Sequence, residues 1–172
     1  MITPRLAFSL LIGCCIMTTA LAIEKASDAR INEVAQLGKQ VMPFDLNQTL
    51  HVFSKVEDGG VQQVIAKNPE NALQIKLIRE HLSKIASDFK QTNFSDPEKI
   101  HGKDMPGLEA LRSAESSEIT ITYREIPEGA EITYITGNPD LITAIHQWFD
   151  AQLRDHDRHA TMHRSHHQMH NQ

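Results

Sequence analysis

The chain has 172 residues, with 17 basic and 22 acidic side chains, 10 histidines, a formal net charge of −5 and 40 % hydrophobic residues. An acidic balance without a basic patch interleaved with aromatics argues against nucleic acid as a partner, and the length fits one domain of ordinary size. No Gly-x-Ser-x-Gly elbow, phosphate-binding glycine loop, His-Glu-x-x-His or dinucleotide fingerprint occurs, so no organic cofactor and no nucleophile constellation is expected.

The first 22 residues read as an export signal. Arg5 is followed by a mostly apolar run from Leu6 to Met17 and by Ala20-Leu21-Ala22, a small-x-small cleavage signature, so a mature periplasmic or secreted chain would begin near Ile23. Leu11-Ile12-Gly13-Cys14 also fits a bacterial lipobox, which makes a lipid anchor on Cys14 the competing route, although only 13 residues precede that cysteine. The apolar run is too short for a stable membrane span. Cys14 and Cys15 are the only cysteines, so a mature chain beyond Ala22 has no disulfide, no thiolate nucleophile and no zinc-thiolate site. Removing Arg5 leaves 16 basic against 22 acidic residues, a net charge of −6.

Ala26 to Val41 carries Ile31, Val34, Ala35, Leu37 and Val41 at amphipathic-helix positions, with Pro43 ending the run. Leu50 to Val56, Asp58-Gly59-Gly60 and Val61 to Ala66 predict a β-hairpin. Asn68-Pro69-Glu70 predicts a helix start, followed by an apolar stripe from Ala72 to Phe89. Gln91 to Ser117 is polar and rich in turn formers, with a short helix predicted over Pro106 to Leu111 after an irregular stretch, Gln91 to Asp104.

The order then returns. Glu118 to Ile126, Pro127-Glu128-Gly129 and Glu131 to Thr136 predict a second hairpin, and Asn138-Pro139-Asp140 starts a second helix with Leu141, Ile142, Ile145, Trp148, Phe149 and Leu153 on its apolar side. Gly59 and Gly129, and the two Asn-Pro pairs, lie 70 residues apart, whereas Ile75-Lys-Leu-Ile78 matches Ile142-Thr-Ala-Ile145 at 67. The expected fold is therefore α+β: duplicated ββα units forming a four-stranded antiparallel sheet with two helices on one face. The expected organisation is a signal peptide over 1–22, an N-terminal helical leader over 23–49, an α+β core domain over 50–159 and a disordered His-rich tail over 160–172.

Six histidines crowd the C-terminus: His156, His159, His163, His166, His167 and His170, with Met162 and Met169 between them. Imidazole and thioether are ligands for copper, nickel and zinc, and most of these residues are spaced three or four apart. Arg164, Ser165 and Gln168 interrupt the run. The same residues titrate near pH 6.5, so acid sensing is an equally physical reading.

His51, His81, His101 and His146 lie outside the tail. A second candidate site, for a metal or for general acid/base chemistry, combines His51, His101, Asp104 and His146. A lone histidine on an element is more often a surface or capping residue; Asp104 also suits a helix start before Pro106, and Trp148 suits the core. His146 and Asp150 are one helical turn apart, close enough for a local hydrogen bond.

His51-Val-Phe53, Asp58-Gly-Gly-Val-Gln62, Ile100-His-Gly-Lys-Asp-Met-Pro-Gly107 and His146-Gln-Trp-Phe-Asp-Ala-Gln-Leu153 with Asp155-His156 together resemble a family of small exported bacterial proteins. Its members often carry the automatically assigned name aspartate carbamoyltransferase. The resemblance covers Leu50 to His159 and implies no established activity. A transcarbamoylase catalytic chain has two α/β domains, a Ser-Thr-Arg-Thr-like carbamoyl-phosphate loop and a His-Pro-x-Gln segment, none of which this sequence offers. The expectation is a non-catalytic periplasmic accessory protein that binds or buffers transition metal through its C-terminus. The alternatives are an envelope module docking a protein or ligand, and a small hydrolase using His101 and Asp104.

Overall fold

The computed structural model describes residues 25–163. The signal peptide, the Cys14 lipobox and four of the C-terminal donors, His166, His167, Met169 and His170, lie outside the described residues.

Helix α1 spans Asp28–Val41 and is capped by Ser27, whose hydroxyl accepts from the Arg30 N–H. Strands β1 (Thr49–Val56) and β2 (Gly59–Ala66) form the first hairpin, followed by α2 (Ala72–Phe89). Two short helices, α3 (Ser95–His101) and α4 (Leu108–Ser113), precede the second hairpin, β3 (Thr120–Ile126) and β4 (Gly129–Ile135), and then α5 (Pro139–His156). A 3-10 turn over Asp157–His159 leads into β5 (Ala160–Met162).

The α+β class holds, but the sheet has five strands and is mixed. Its order is β3-β4-β2-β1-β5, with β5 parallel to β1 at the edge. The expected tail start at residue 160 is thus the first residue of a strand. Three residues of Ala, Thr and Met carry too little alternation to announce a strand; pairing with the open edge of β1 creates it.

The two ββα units share one register. Shifting the pair Ser54↔Val61 by 70 residues gives Arg124↔Glu131, and Val56↔Gly59 gives Ile126↔Gly129; all four pairings are present. The hairpins meet through antiparallel β2 and β4, where Gln62 faces its own 70-residue equivalent, Ile132. The sheet therefore has a local two-fold relation about that pair. Gly59 and Gly129 occupy equivalent places beside it: a Cβ would lie 1.9 Å from the Tyr134 carbonyl oxygen at Gly59 and 2.0 Å from that of Val64 at Gly129.

The helices repeat with an offset of 67. Both α2 and α5 have 18 residues, and each is capped by an asparagine: Asn71 accepts from the Gln74 N–H and Asn138 from the Asp140 N–H. The predicted start at Asn68-Pro69-Glu70 is instead a turn, in which the Asn68 side chain accepts from the Glu70 N–H and its carbonyl from the Asn71 N–H. That turn accounts for the three extra residues before α2.

Both long helices cover the same sheet face. Phe53, Val64, Ile132 and Tyr134 point inward and are 0–1 % exposed. They pack against Ile78, Leu82, Phe89, Ile145, Trp148 and Phe149. Helix α2 lies over β4 and β3, whereas α5 lies over β2, β1 and β5, so each unit's helix covers the other unit's hairpin. Trp148 is a core residue, edge-on to Tyr134 and Phe89 with ring centroids 5.6 and 5.8 Å apart.

Candidate functional site: a histidine-lined cavity

Inward alternation on β1 places Thr49, His51 and Phe53 on the helix-covered face. His51 is 3 % exposed and lies parallel to His156, the last residue of α5, with centroids 5.1 Å and planes 4° apart. His101, the last residue of α3, meets His156 edge-on at 4.9 Å. These rings, with Gln62 from β2, His81 from α2, and Trp148 and Gln152 from α5, line a cavity of about 50 Å³ beneath α1, α2 and α3. That space holds a few waters or a ligand of a few heavy atoms.

The repeat shows that this polarity is not required by the fold. Under the 70-residue shift His51 corresponds to Ile121 and Gln62 to Ile132; under the 67-residue helix shift His156 corresponds to Phe89 and Gln152 to Ile85. Four buried polar side chains thus stand in one half where the other half carries buried apolar ones. The apolar set is what a core needs for stability; the polar set must be accounted for otherwise.

Burial keeps these imidazoles neutral. His51 is pushed down to about 3 by burial, with repulsion from His81 adding and the His159 backbone carbonyl opposing. Burial likewise pushes His81 down to about 4, against the pull of Asp96. His156 lies well below the ordinary histidine range, through burial and through the three neighbouring histidines His101, His51 and His159.

His101 has a dedicated partner. Its Nδ1 lies 2.8 Å from Asp155 Oδ2, and the same oxygen accepts from Arg30 Nη2 at 2.9 Å. Burial lowers the His101 pKa despite Asp155. Burial raises that of Asp155, but hydrogen bonds from His101 and Arg30 outweigh it and leave the carboxyl below its usual range. The pair is therefore a carboxylate accepting from a neutral Nδ1–H. Arg30 also donates to the His101 carbonyl at 2.7 Å, so the group ties α1, α3 and α5 together.

The four residues of the second candidate site are not gathered in one place. His51 and His101 reach the cavity. Asp104 is exposed at the rim of an outer hollow on the Arg30 side of His101. His146 Nε2 donates to the carbonyls of Gly59 and Val56 at 2.8 and 3.1 Å, closing the β1–β2 turn, while Asp150 pairs with Lys55 rather than with His146. Sequence reasoning missed Asp155 as the partner of His101; the two lie 54 residues apart, and their contact depends on α3, which the sequence does not announce.

Of the C-terminal donors, His156 and His159 are buried, at 4 and 6 % exposure, and His159 Nε2 accepts from Arg158 Nε at 3.3 Å. Met162 is half-buried at the sheet edge and His163 is exposed, its N–H donating to the Phe53 carbonyl at 2.9 Å. Among the described residues, no three His, Cys, Asp or Glu side chains converge as a metal-ligand set. The parallel stack of His51 on His156 holds their nitrogen lone pairs in parallel planes rather than aimed at one point. No described helix is long and apolar enough to cross a membrane.

Comparison with known proteins returned no matching family model, no similar curated protein and no similar solved structure.

Proposed function

We propose that the chain is a non-catalytic accessory protein of the periplasm that binds transition metal through the histidine- and methionine-rich run beginning at Met162. The observation that supports this reading is the anchoring of that run. Strand β5 pairs with β1, and the His163 N–H bonds to Phe53, so Met162 and His163 leave the edge of a rigid sheet immediately before His166, His167, Met169 and His170. Two imidazoles first grouped with these donors, His156 and His159, belong to the core, which leaves four imidazoles and two thioethers. Such a set suits copper, nickel or zinc. Equilibrium dialysis against each metal tests the reading: changing His163, His166, His167 and His170 together to alanine is expected to abolish uptake while leaving the circular dichroism spectrum unchanged, and retained uptake would refute it.

A second reading, a ligand-docking module, is favoured by the polar cavity, because its lining departs from the apolar pattern of the repeat. The hydrolase reading has less support: Asp155, not Asp104, partners His101, and the His101 ring is only 1 % exposed.

A further inference from the structure

Two buried polar atoms in residues lining the cavity have no partner: Nε1 of Trp148, which is 1 % exposed, and Nδ1 of His51, which is 3 % exposed. A buried donor or acceptor left unpaired is destabilising, and native proteins rarely tolerate one without a water, a ligand or a functional reason. Here two occur at one cavity, in the half of the repeat where apolar residues are replaced by polar ones.

Their chemistry is complementary. The indole N–H can only donate. The His159 carbonyl acts on the His51 ring, and since Nδ1 has no partner, the nitrogen serving that carbonyl is Nε2–H. In the neutral ring Nδ1 is then an acceptor. Gln62 spends its Oε1 on the Tyr134 hydroxyl at 2.8 Å, which keeps its amide N–H groups as further donors.

The surroundings disfavour charge. Asp155 is neutralised by Arg30, and Asp96 is held by Lys84 at 2.9 Å and Lys99 at 3.3 Å, so neither carboxylate is left to balance a buried cation. The burial that keeps a proton off His51 opposes any other cation in the same space. An anion would likewise meet neutral imidazoles rather than imidazolium.

We propose that the cavity binds a small uncharged molecule carrying both a hydrogen-bond acceptor and a hydrogen-bond donor, of the primary carboxamide class and the size of formamide or acetamide. The carbonyl oxygen accepts from Trp148 Nε1–H and the amide N–H donates to His51 Nδ1. This rests on the ligand-docking reading and names its ligand class; it is independent of metal binding at the C-terminus.

Trp148 is the only tryptophan, so its indole N–H gives a single, assignable resonance. The test is titration of the ¹⁵N-labelled full mature chain with formamide, acetamide, acetate and guanidinium, following that resonance. A saturable downfield shift with the two amides, at least tenfold weaker with either ion, is the expected result. His51→Phe should weaken amide binding at least tenfold; Gln152→Leu, which restores the apolar type of its repeat partner Ile85, serves as a second variant should the first fail to fold. Saturable binding of acetate or guanidinium in preference to the amides would overturn the ligand class and leave the docking reading standing. Shifts that stay linear for all four probes would mean that the cavity holds ordered water only, and would overturn both.

Discussion

Asp155 Oδ2 receives two hydrogen bonds, from His101 Nδ1 at 2.8 Å and from Arg30 Nη2 at 2.9 Å, and so joins three helices at a single oxygen. Removing it strands a part-buried guanidinium and a buried imidazole donor. Asp155→Ala is therefore expected to cost about 2–3 kcal/mol in urea unfolding, the usual range for leaving a charged hydrogen-bond partner unsatisfied. Because both partners meet on one oxygen, Arg30→Ala and His101→Ala should each couple to Asp155→Ala in a double-mutant cycle. Additive losses would show that the contacts do not act together.

The buried histidines make stability depend on acid. Each has a folded-state pKa below its ordinary value of 6.5, so the unfolded chain takes up protons that the folded chain refuses. Stability is full above about pH 6.5 and falls as pH drops toward the folded values, about 3 for His51 and about 4 for His81. Asp155 acts in the same direction, since its depressed pKa adds stability that is lost at still lower pH. For His51 alone the loss near pH 5 is about 2 kcal/mol. Urea midpoints measured near pH 7.5 and pH 5 should fall accordingly, and His51→Phe should flatten the profile; equal midpoints for the parent chain would contradict the neutral-cluster picture.

Gly59 and Gly129 should be equally intolerant of a side chain, since each faces a carbonyl oxygen at about 2 Å from any added Cβ. Gly59 also has φ +149°. Either change to alanine is expected to lose about 3 kcal/mol, in the range of strained or overpacked substitutions. Gly137→Ala, with nothing within 4 Å of its Cβ, should be nearly neutral. Thermal unfolding of the three variants checks this, and a tolerated Gly129→Ala would deny the close approach of β2 and β4.

Where the chain can be shortened follows from β5. Ending it at Asp155 removes the buried His156 and His159 and uncovers the edge of β1, so that form should unfold at markedly lower urea, by about 3 kcal/mol or more. Ending it at His163 keeps every described contact and should change stability by less than about 0.5 kcal/mol. Comparable midpoints for the two shortened chains would mean that the last strand contributes nothing.

The repeat was legible in the sequence because hairpin and helix both announce themselves: alternation around Gly59 and Gly129, and a 3.6-residue stripe after each asparagine. The offset of 67 in the helices already marked Asn71, rather than Asn68, as the true counterpart of Asn138. Helix α3 was not legible, because seven residues with only Pro97, Ile100 and His101 buried give no full period. The cavity was hidden for a related reason. His51 announces itself as an inward residue, but nothing local shows that His101 and His156 converge on it from two other helices. His146 looked equally promising, and its hydrogen bonds to the β1–β2 turn arise from an approach 87 to 90 residues distant in sequence.

The most direct test of the proposed function is calorimetric titration of the mature chain, and of the same chain ended at His163, with copper, nickel and zinc near pH 7.5. Uptake by the longer chain that disappears from the shorter one is the predicted result, placing the metal on the run after the last strand. Equal uptake by both chains, or uptake by neither, would contradict the account.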